Sequence, residues 1–284
     1  MLSVGDAVVK TMTDEWPPAA IATLRYSFGA IGLALLIAWR HGPSGFTFPR
    51  PGLQLARGLA VGTATAAFFA GIAVMPLADA TAVAFTSPIW VLALSALLLG
   101  ERVGRHAVAA VALAFAGTLV VLQPNVVAFG WEGVLPLVAA LGMAALIMLN
   151  RQAAGLAPVI VLQFLVAVCA LPLLLGTAVF GHYHGHEVAW PSPSVIARCV
   201  LVAFTATFAH WCIFRATELA SAATVAPMTY VQLLVASLAG VFVFGNAPTG
   251  GLALGAAMIV GAGLYLWWSG RPASRPTPPL RQAE

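Results

Sequence analysis

Three ionisable side chains lie inside apolar stretches of the sequence, namely Asp6, Lys10 and Arg25. A charge at the centre of a membrane helix costs roughly 2.5–3.5 kcal/mol on insertion scales, so such a group is a functional candidate by default. Arg25 follows Pro17 by eight residues, which is about 12 Å of helix rise. Its guanidinium could hold an anionic group, such as a substrate carboxylate, through a forked hydrogen bond. A structural ion pair inside a helix bundle is the alternative, and the sequence leaves both open.

Asp6 and Lys10 are four positions apart with the acid first, so they can pair on one helix face. The pair could gate a pathway or couple transport to a proton or another ion, or it could be an end pair near the interface. His210 could relay protons, or it could be neutral and bonded to a carbonyl.

Aromatic and amide side chains in other apolar stretches are candidates for a binding cavity. Trp90 and Trp211 could stack on a flat ligand, or they could pack ordinarily. Tyr230 and Gln163 could line a cavity or bond across helices.

Motifs for metal binding or catalysis are weak or absent. The histidines at 182, 184 and 186 alternate, but their Gly/Pro-rich surroundings favour a solvated loop, so we expect neither a metal nor a cofactor. The sequence contains no His-Glu-x-x-His, Gly-x-Ser-x-Gly or phosphate-binding loop. We therefore expect no enzymatic activity, and energy must come from an ion gradient or from the gradient of the substrate itself.

Composition identifies the elements that position these groups. Of the 284 residues, 61% are apolar and only 8% are charged, whereas soluble domains carry about 25% charge. A soluble globule is excluded, and the net charge of +4 lacks the basic cluster that nucleic-acid binding needs. The sequence predicts an all-α membrane protein with ten transmembrane helices in a lipid bilayer, each of ~20 residues. The predicted segments are 1–13, 17–39, 53–75, 77–99, 104–122, 131–149, 157–180, 194–216, 219–244 and 249–269.

The first segment is short, so we expect either a half-span or a start that lies upstream. With the N-terminus in the cytoplasm, ten of the 13 basic residues lie on the cytoplasmic side. This distribution predicts a multi-pass protein of the bacterial inner membrane with both termini cytoplasmic.

Two predicted helices resemble each other. The stretch from Leu77 aligns with the stretch from Leu219, and each helix carries an internal proline, Pro88 or Pro227. A five-helix repeat is odd, so the second copy has inverted topology, as in many secondary transporters. We expect repeats over 1–124 and 125–270 and a cytoplasmic tail over 271–284. Interrupted helices at matching positions indicate a midplane binding site near both prolines, although prolines are also tolerated as kinks.

The chain resembles the EamA-type transporters of the drug/metabolite transporter superfamily. The resemblance rests on the run from Pro17 to Arg25, on Thr86-Ser87-Pro88, on the corner Leu98–Glu101 and on Ala226-Pro227. The stretch Gly5–Lys10 is similar to that of relatives proposed to carry S-adenosylmethionine. The resemblance implies ten spans and movement of small metabolites by alternating access.

We therefore expect a secondary transporter for a small organic metabolite, such as an amino acid or a related compound. Its predicted cavity lies between the third, fourth, eighth and ninth spans. A polytopic membrane enzyme or a non-transporting membrane subunit is the alternative, and a homodimer is compatible with this layout.

Overall fold

The computed structural model describes residues 2–75, 77–98, 103–123, 131–184, 188–233 and 251–269. Regular structure within these residues is entirely helical, which confirms the all-α fold class for this part of the chain. The helices are α1 (Leu2–Lys10), α2 (Pro18–His41), α3 (Pro51–Val74), α4 (Leu77–Ala84), α5 (Ser87–Leu98), α6 (Arg105–Leu122), α7 (Val134–Ala153), α8 (Val159–Tyr183), α9 (Pro193–Leu219), α10 (Ala222–Val225) and α11 (Leu252–Ser269). Short 3-10 helices cover Pro43–Gly45, Trp131–Gly133 and Ala226–Tyr230.

The described part of the chain contains eight stretches that are long and apolar enough to cross a membrane. Large apolar side chains are exposed along these helices, among them Leu35, Leu175, Phe204 and Leu264. Such surfaces would drive a soluble protein to aggregate but suit contact with lipid tails. The protein is therefore a multi-pass membrane protein. The predicted first span is only the short α1, and the predicted ninth span (219–244) extends beyond the described residues.

Helix breaks occur at both internal prolines, as predicted. α4 ends at Ala84, and α5 begins at Ser87 with Pro88 as its second residue. Pro227 lies in the 3-10 helix Ala226–Tyr230, directly after the four-residue α10. Proline has no N–H and clashes with the preceding turn, which accounts for both interruptions, whereas α8 continues through its internal Pro172.

Packing brings α2, α3, α8 and α9 to the middle of the described bundle. α2 packs on α8 and α9, α3 packs on α7 and α8, α1 packs on α9, and α6 packs on α11. Glycines allow the closest approaches. A Cβ on Gly58 would collide with Cys169 of α8, and one on Gly255 would lie 2.5 Å from the Gly117 carbonyl oxygen of α6. Both small-residue motifs, Gly58-x-x-x-Gly62 and Gly251-x-x-x-Gly255, lie at such close approaches.

Candidate functional site

A cleft with about 420 Å³ of empty space lies between α2, α3, α8 and α9. Pro88 and Pro227 are not among the residues that line this cleft, and most of the predicted ninth span lies outside the described residues. The polar side chains that line it are Arg25, Tyr26, Gln163, Thr207 and His210.

Glycine explains why α2 and α9 meet here. A Cβ on Gly29 of α2 would lie 3.3 Å from the Thr207 hydroxyl oxygen of α9, so a larger side chain would push the two helices apart. This approach brings the polar residues of α2 close to those of α9. The sequence pattern did not reveal which helix faces would meet.

Arg25 is the charged residue of the cleft, and its side chain is only 7% exposed. Its Nη2 donates a 3.3 Å hydrogen bond to the Thr65 hydroxyl. Its guanidinium carbon lies 4.7 Å from the ring centre of Tyr26 and 5.1 Å from that of Phe69. Aromatic faces attract a cation without neutralising it.

The Arg25 cation has no carboxylate partner within salt-bridge distance among the described residues. Its Nε is buried without a hydrogen-bond acceptor. Asp6 interacts with Arg25 electrostatically but forms no ion pair with it. Buried polar groups in native proteins are almost always paired, so an open N–H on a buried cation indicates a site for an anionic ligand oxygen. The alternative reading of Arg25, a structural ion pair, is not what the structure shows.

Neutral polar groups lie opposite Arg25. Gln163 of α8 donates a 3.3 Å hydrogen bond from Nε2 to the main-chain carbonyl of His210, and its side chain is 7% exposed. The His210 side chain is half-buried and lines the cleft with Thr207. The cleft therefore combines one cation with several uncharged donors and acceptors.

Two predicted aromatic site residues lie elsewhere. Trp90 donates from Nε1 to the Thr86 hydroxyl at 3.3 Å and packs against the cluster formed by α5, α7 and α10. Trp211 is 42% exposed and stacks on Phe208, so its ring faces the lipid side of α9. Neither tryptophan lines the described cleft.

Three further residues predicted in the site lie outside the cleft, namely Pro88, Pro227 and Tyr230. Tyr230 instead donates a hydrogen bond at the break between α4 and α5. At the break between α4 and α5, the Ile89 amide bonds the Thr86 carbonyl, and the Phe85 carbonyl is left for another donor. The Tyr230 hydroxyl donates to that carbonyl at 2.9 Å.

Lys10 and Asp6 do not form the predicted i, i+4 pair. The Lys10 ammonium donates to the Ile72 carbonyl at the end of α3, 2.6 Å away. A carbonyl near a helix C-terminus carries partial negative charge, which makes it a good partner for a cation.

Arg57, one of the ten basic residues predicted on the cytoplasmic side, is a buried cation. Its side chain is fully buried, and its Nη2 has no acceptor. Its position inside α3, which begins at Pro51, was the sequence signal that could have indicated its burial.

No cluster of three or more metal-ligating side chains occurs in the part of the chain that the structure describes. The predicted solvated stretch 182–186 is described only to residue 184, and the corners at Glu101 and Asn246 also lie outside the described residues.

Known proteins resemble this chain over most of its length. Residues 1–123 match the EamA-like transporter family. A riboflavin transporter of Rhizobium johnstonii is 30% identical over 256 residues, which cover 90% of this chain and 83% of that protein. An S-adenosylmethionine uptake transporter of Rickettsia prowazekii is 24% identical over 272 residues, covering 94% and 88%. A solved crystal structure at 22% identity has a TM-score of 0.78 and covers 95% of this chain and 94% of that one, which supports the fold.

The extent and identity of the match to the Rhizobium protein, together with the family match over 1–123, confirm the resemblance seen in the motifs. The chain belongs to the EamA-like transporter family of the drug/metabolite transporter superfamily, and it is a membrane transporter of small molecules rather than an enzyme.

Proposed function

We propose that the protein is a secondary transporter that moves a carboxylate-bearing metabolite, an amino acid or a related compound, across the bacterial inner membrane. The observation that carries this proposal is the buried Arg25 guanidinium, which lines the cleft with an open N–H and has no carboxylate partner within the described part of the chain. A substrate carboxylate supplies the missing acceptor through a charge-assisted hydrogen bond.

The distribution of charge in the cleft specifies the class of substrate further. Pro17 and Pro158 cap α2 and α8, and they are 141 positions apart. At the same offset, Arg25 corresponds to Val166, and all three of Arg25, Tyr26 and Val166 line the cleft. The α2 wall therefore carries a charge, whereas the α8 wall is uncharged, with Gln163 beside the apolar Val166 and Ala167. This asymmetry favours a substrate with an anionic end and an apolar or aromatic body.

Helix packing supports two inverted repeats over 1–124 and 125–270, with a tail over 271–284. Several contacts between the first and second sets of helices fit this symmetry: α3 on α7 matches α1 on α9, and α3 on α8 matches α2 on α9. The α2–α8 contact and the α6–α11 contact each join two helices that correspond to each other in the proposed repeats, so each contact is its own counterpart. Such symmetry is the basis of alternating access around a fixed site, which we propose as the mechanism.

The named relatives divide between two kinds of substrate. The Rickettsia relatives are named for S-adenosylmethionine, a compound with an amino acid carboxylate, whereas the Rhizobium relative is named for riboflavin, which has none. The buried Arg25 makes a carboxylate compound the better candidate here. Arginines concentrated on one side support cytoplasmic termini. Labelling of a cysteine at position 184 from the periplasm tests that orientation, and labelling only from the cytoplasm contradicts it.

Uptake into liposomes tests the function. We expect the purified protein to transport members of a panel of amino acids and S-adenosylmethionine, with riboflavin included as an uncharged comparison. Arg25→Ala should lose most of this transport, because a hydrogen bond to a charged group is worth about 1.5–3 kcal/mol, which is roughly a 10- to 100-fold change in affinity. Arg215→Ala is the matched control, since Arg215 pairs with Glu218 away from the cleft. If wild-type protein transports none of the panel, the carboxylate proposal fails, and equal transport by Arg25→Ala removes Arg25 from the site.

A further inference from the structure

Four basic side chains form two pairs that share the repeat offset of 141 positions. Lys10, at the end of α1, donates to the Ile72 carbonyl near the end of α3 at 2.6 Å. Arg151, near the end of α7, donates to the Thr217 carbonyl near the end of α9 at 3.0 Å. The two cations occupy matching positions and hold matching helix ends.

The second pair is Arg57 and Arg198. Arg198, near the start of α9, reaches the corner after α1, where it bonds the Thr11 carbonyl at 3.3 Å and both carboxylate oxygens of Glu15 at 2.6 and 2.8 Å. Arg57, near the start of α3, bonds the Asn150 side-chain oxygen of α7 at 2.9 Å and the Leu162 carbonyl of α8 at 3.3 Å. Each arginine ties its own half to the other half.

These contacts lie beyond opposite ends of the cleft. α3 and α9 are five crossings apart along the chain, so in the proposed layout their first turns lie at opposite membrane faces. Leu162, which accepts from Arg57, precedes the cleft residue Gln163. Phe214, whose ring lies 5.2 Å from the Arg57 guanidinium, follows the cleft residue His210 by one helical turn. The Arg57 side chain therefore lies directly beyond the cleft on one side.

We infer that two symmetry-related latches close the cleft, one at each membrane face: the Arg57 latch (Arg57, Asn150 and Leu162) and the Arg198 latch (Arg198, Thr11 and Glu15). The inference rests on the proposed alternating access. Opening the cleft to one face requires the latch on that face to separate, while the other latch remains closed. Lys10 and Arg151 hold together the helix ends on which the latches close.

The two latches differ chemically although their positions match. The Arg198 latch is an exposed ion pair, in which the Glu15 side chain is 47% exposed. The Arg57 latch is fully buried, and Arg57 donates there to neutral oxygens, including Gln54 Oε1 at 2.6 Å. Water and salt can compete for the first latch, whereas the second separates only when the helices move apart. The Arg198 latch is therefore the one that opens more readily.

Side-specific labelling tests the latches without any substrate. The probe is a membrane-impermeant maleimide, applied from either face of vesicles to the full chain with Thr207→Cys and the native cysteines changed to alanine. Thr207 lines the cleft, so its labelling rate reports access from each face. We expect Arg198→Gln and Glu15→Gln to raise labelling several-fold from the outer face only. Arg57→Gln and the milder Asn150→Ala should raise it from the inner face only.

Arg215→Gln is the control, because it removes an exposed cation of α9 that belongs to neither latch. Thermal unfolding in detergent identifies any variant that fails to fold, and Asn150→Ala then carries the inner-face test. Labelling that rises from the same face for both latches, or that does not change in folded variants, overturns the inference. If labelling shifts as expected while no compound is transported, the latches stand and the proposed substrate class fails.

Discussion

The Tyr230 hydroxyl and the Phe85 carbonyl join the two proline-interrupted segments of the chain by a 2.9 Å hydrogen bond, and the two rings stack at 5.6 Å. Each segment is interrupted near a proline, and the Tyr230 side chain of one segment donates to a main-chain carbonyl at the interruption in the other. Tyr230 and Phe85 therefore hold the two interrupted segments together, away from the described cleft.

Tyr230→Phe should lower stability and leave substrate affinity unchanged. The variant keeps the ring but leaves the buried Phe85 carbonyl without its donor, which costs about 1–3 kcal/mol. The measurement is a detergent melting curve paired with a binding titration. A large loss of affinity at unchanged melting temperature would instead place Tyr230 in the binding site, as the sequence analysis expected.

Gly255→Ala should destabilise the α6–α11 contact. Its Cβ would lie 2.5 Å from the Gly117 carbonyl oxygen and from a Val121 methyl group, and overpacking of this kind typically costs about 1–3 kcal/mol. Gly261→Ala, in the same helix with nothing within 4 Å of the new Cβ, is the matched control and should keep or raise the melting temperature. Equal melting temperatures for both variants would mean that these helices do not pack as described.

A rise in ionic strength should weaken the Arg198 latch and leave the Arg57 latch unchanged. Raising it from about 0.01 to 0.15 M shortens the Debye length from about 30 to 8 Å, which weakens an exposed pair such as Arg198 with Glu15. Labelling of Thr207→Cys from the outer face should therefore increase with salt, and Arg198→Gln should abolish that increase. A salt response that is unchanged in Arg198→Gln would assign it to other charges.

Trp211→Ala should leave substrate affinity within about twofold of wild type, because its exposed ring stacks on Phe208 outside the cleft.

Gln163→Glu should weaken binding of an anionic substrate about tenfold or more, since it adds a negative charge to the cleft that contains Arg25. A titration of both variants compares a residue outside the cleft with one that lines it. Stronger effects at Trp211 than at Gln163 would reverse the assignment of lining residues.

Features that depend on positions along a single helix could be predicted from the sequence. The apolar stretches predicted the helices, the two prolines predicted their interruptions, and two of the residues singled out, Arg25 and His210, line the described cleft. Each of these depends on positions along one helix, which a sequence displays directly. The bound ligand and the roles of these residues remain predictions.

Features that depend on which helix faces meet could not be predicted. Arg57 was assigned to the cytoplasmic surface, because nothing local indicates that Asn150 and Leu162 come within reach of it. Lys10 was paired with its neighbour Asp6, whereas the packing of α1 supplies the Ile72 carbonyl. The cavity was predicted between the third, fourth, eighth and ninth spans, and the described cleft shares the third and eighth of these; the approach of Gly29 to Thr207, which brings α2 into it, depends on tertiary packing.

The central claim is that Arg25 binds the carboxylate of the substrate, and a matched pair of ligands tests it most directly. The measurement is the affinity of wild type and of Arg25→Ala for a transported amino-acid-type compound and for its carboxamide. We predict that wild type prefers the acid by about tenfold or more and that Arg25→Ala binds both equally, since only the acid forms a charge-assisted pair. A preference for the acid that persists undiminished in Arg25→Ala would contradict the claim.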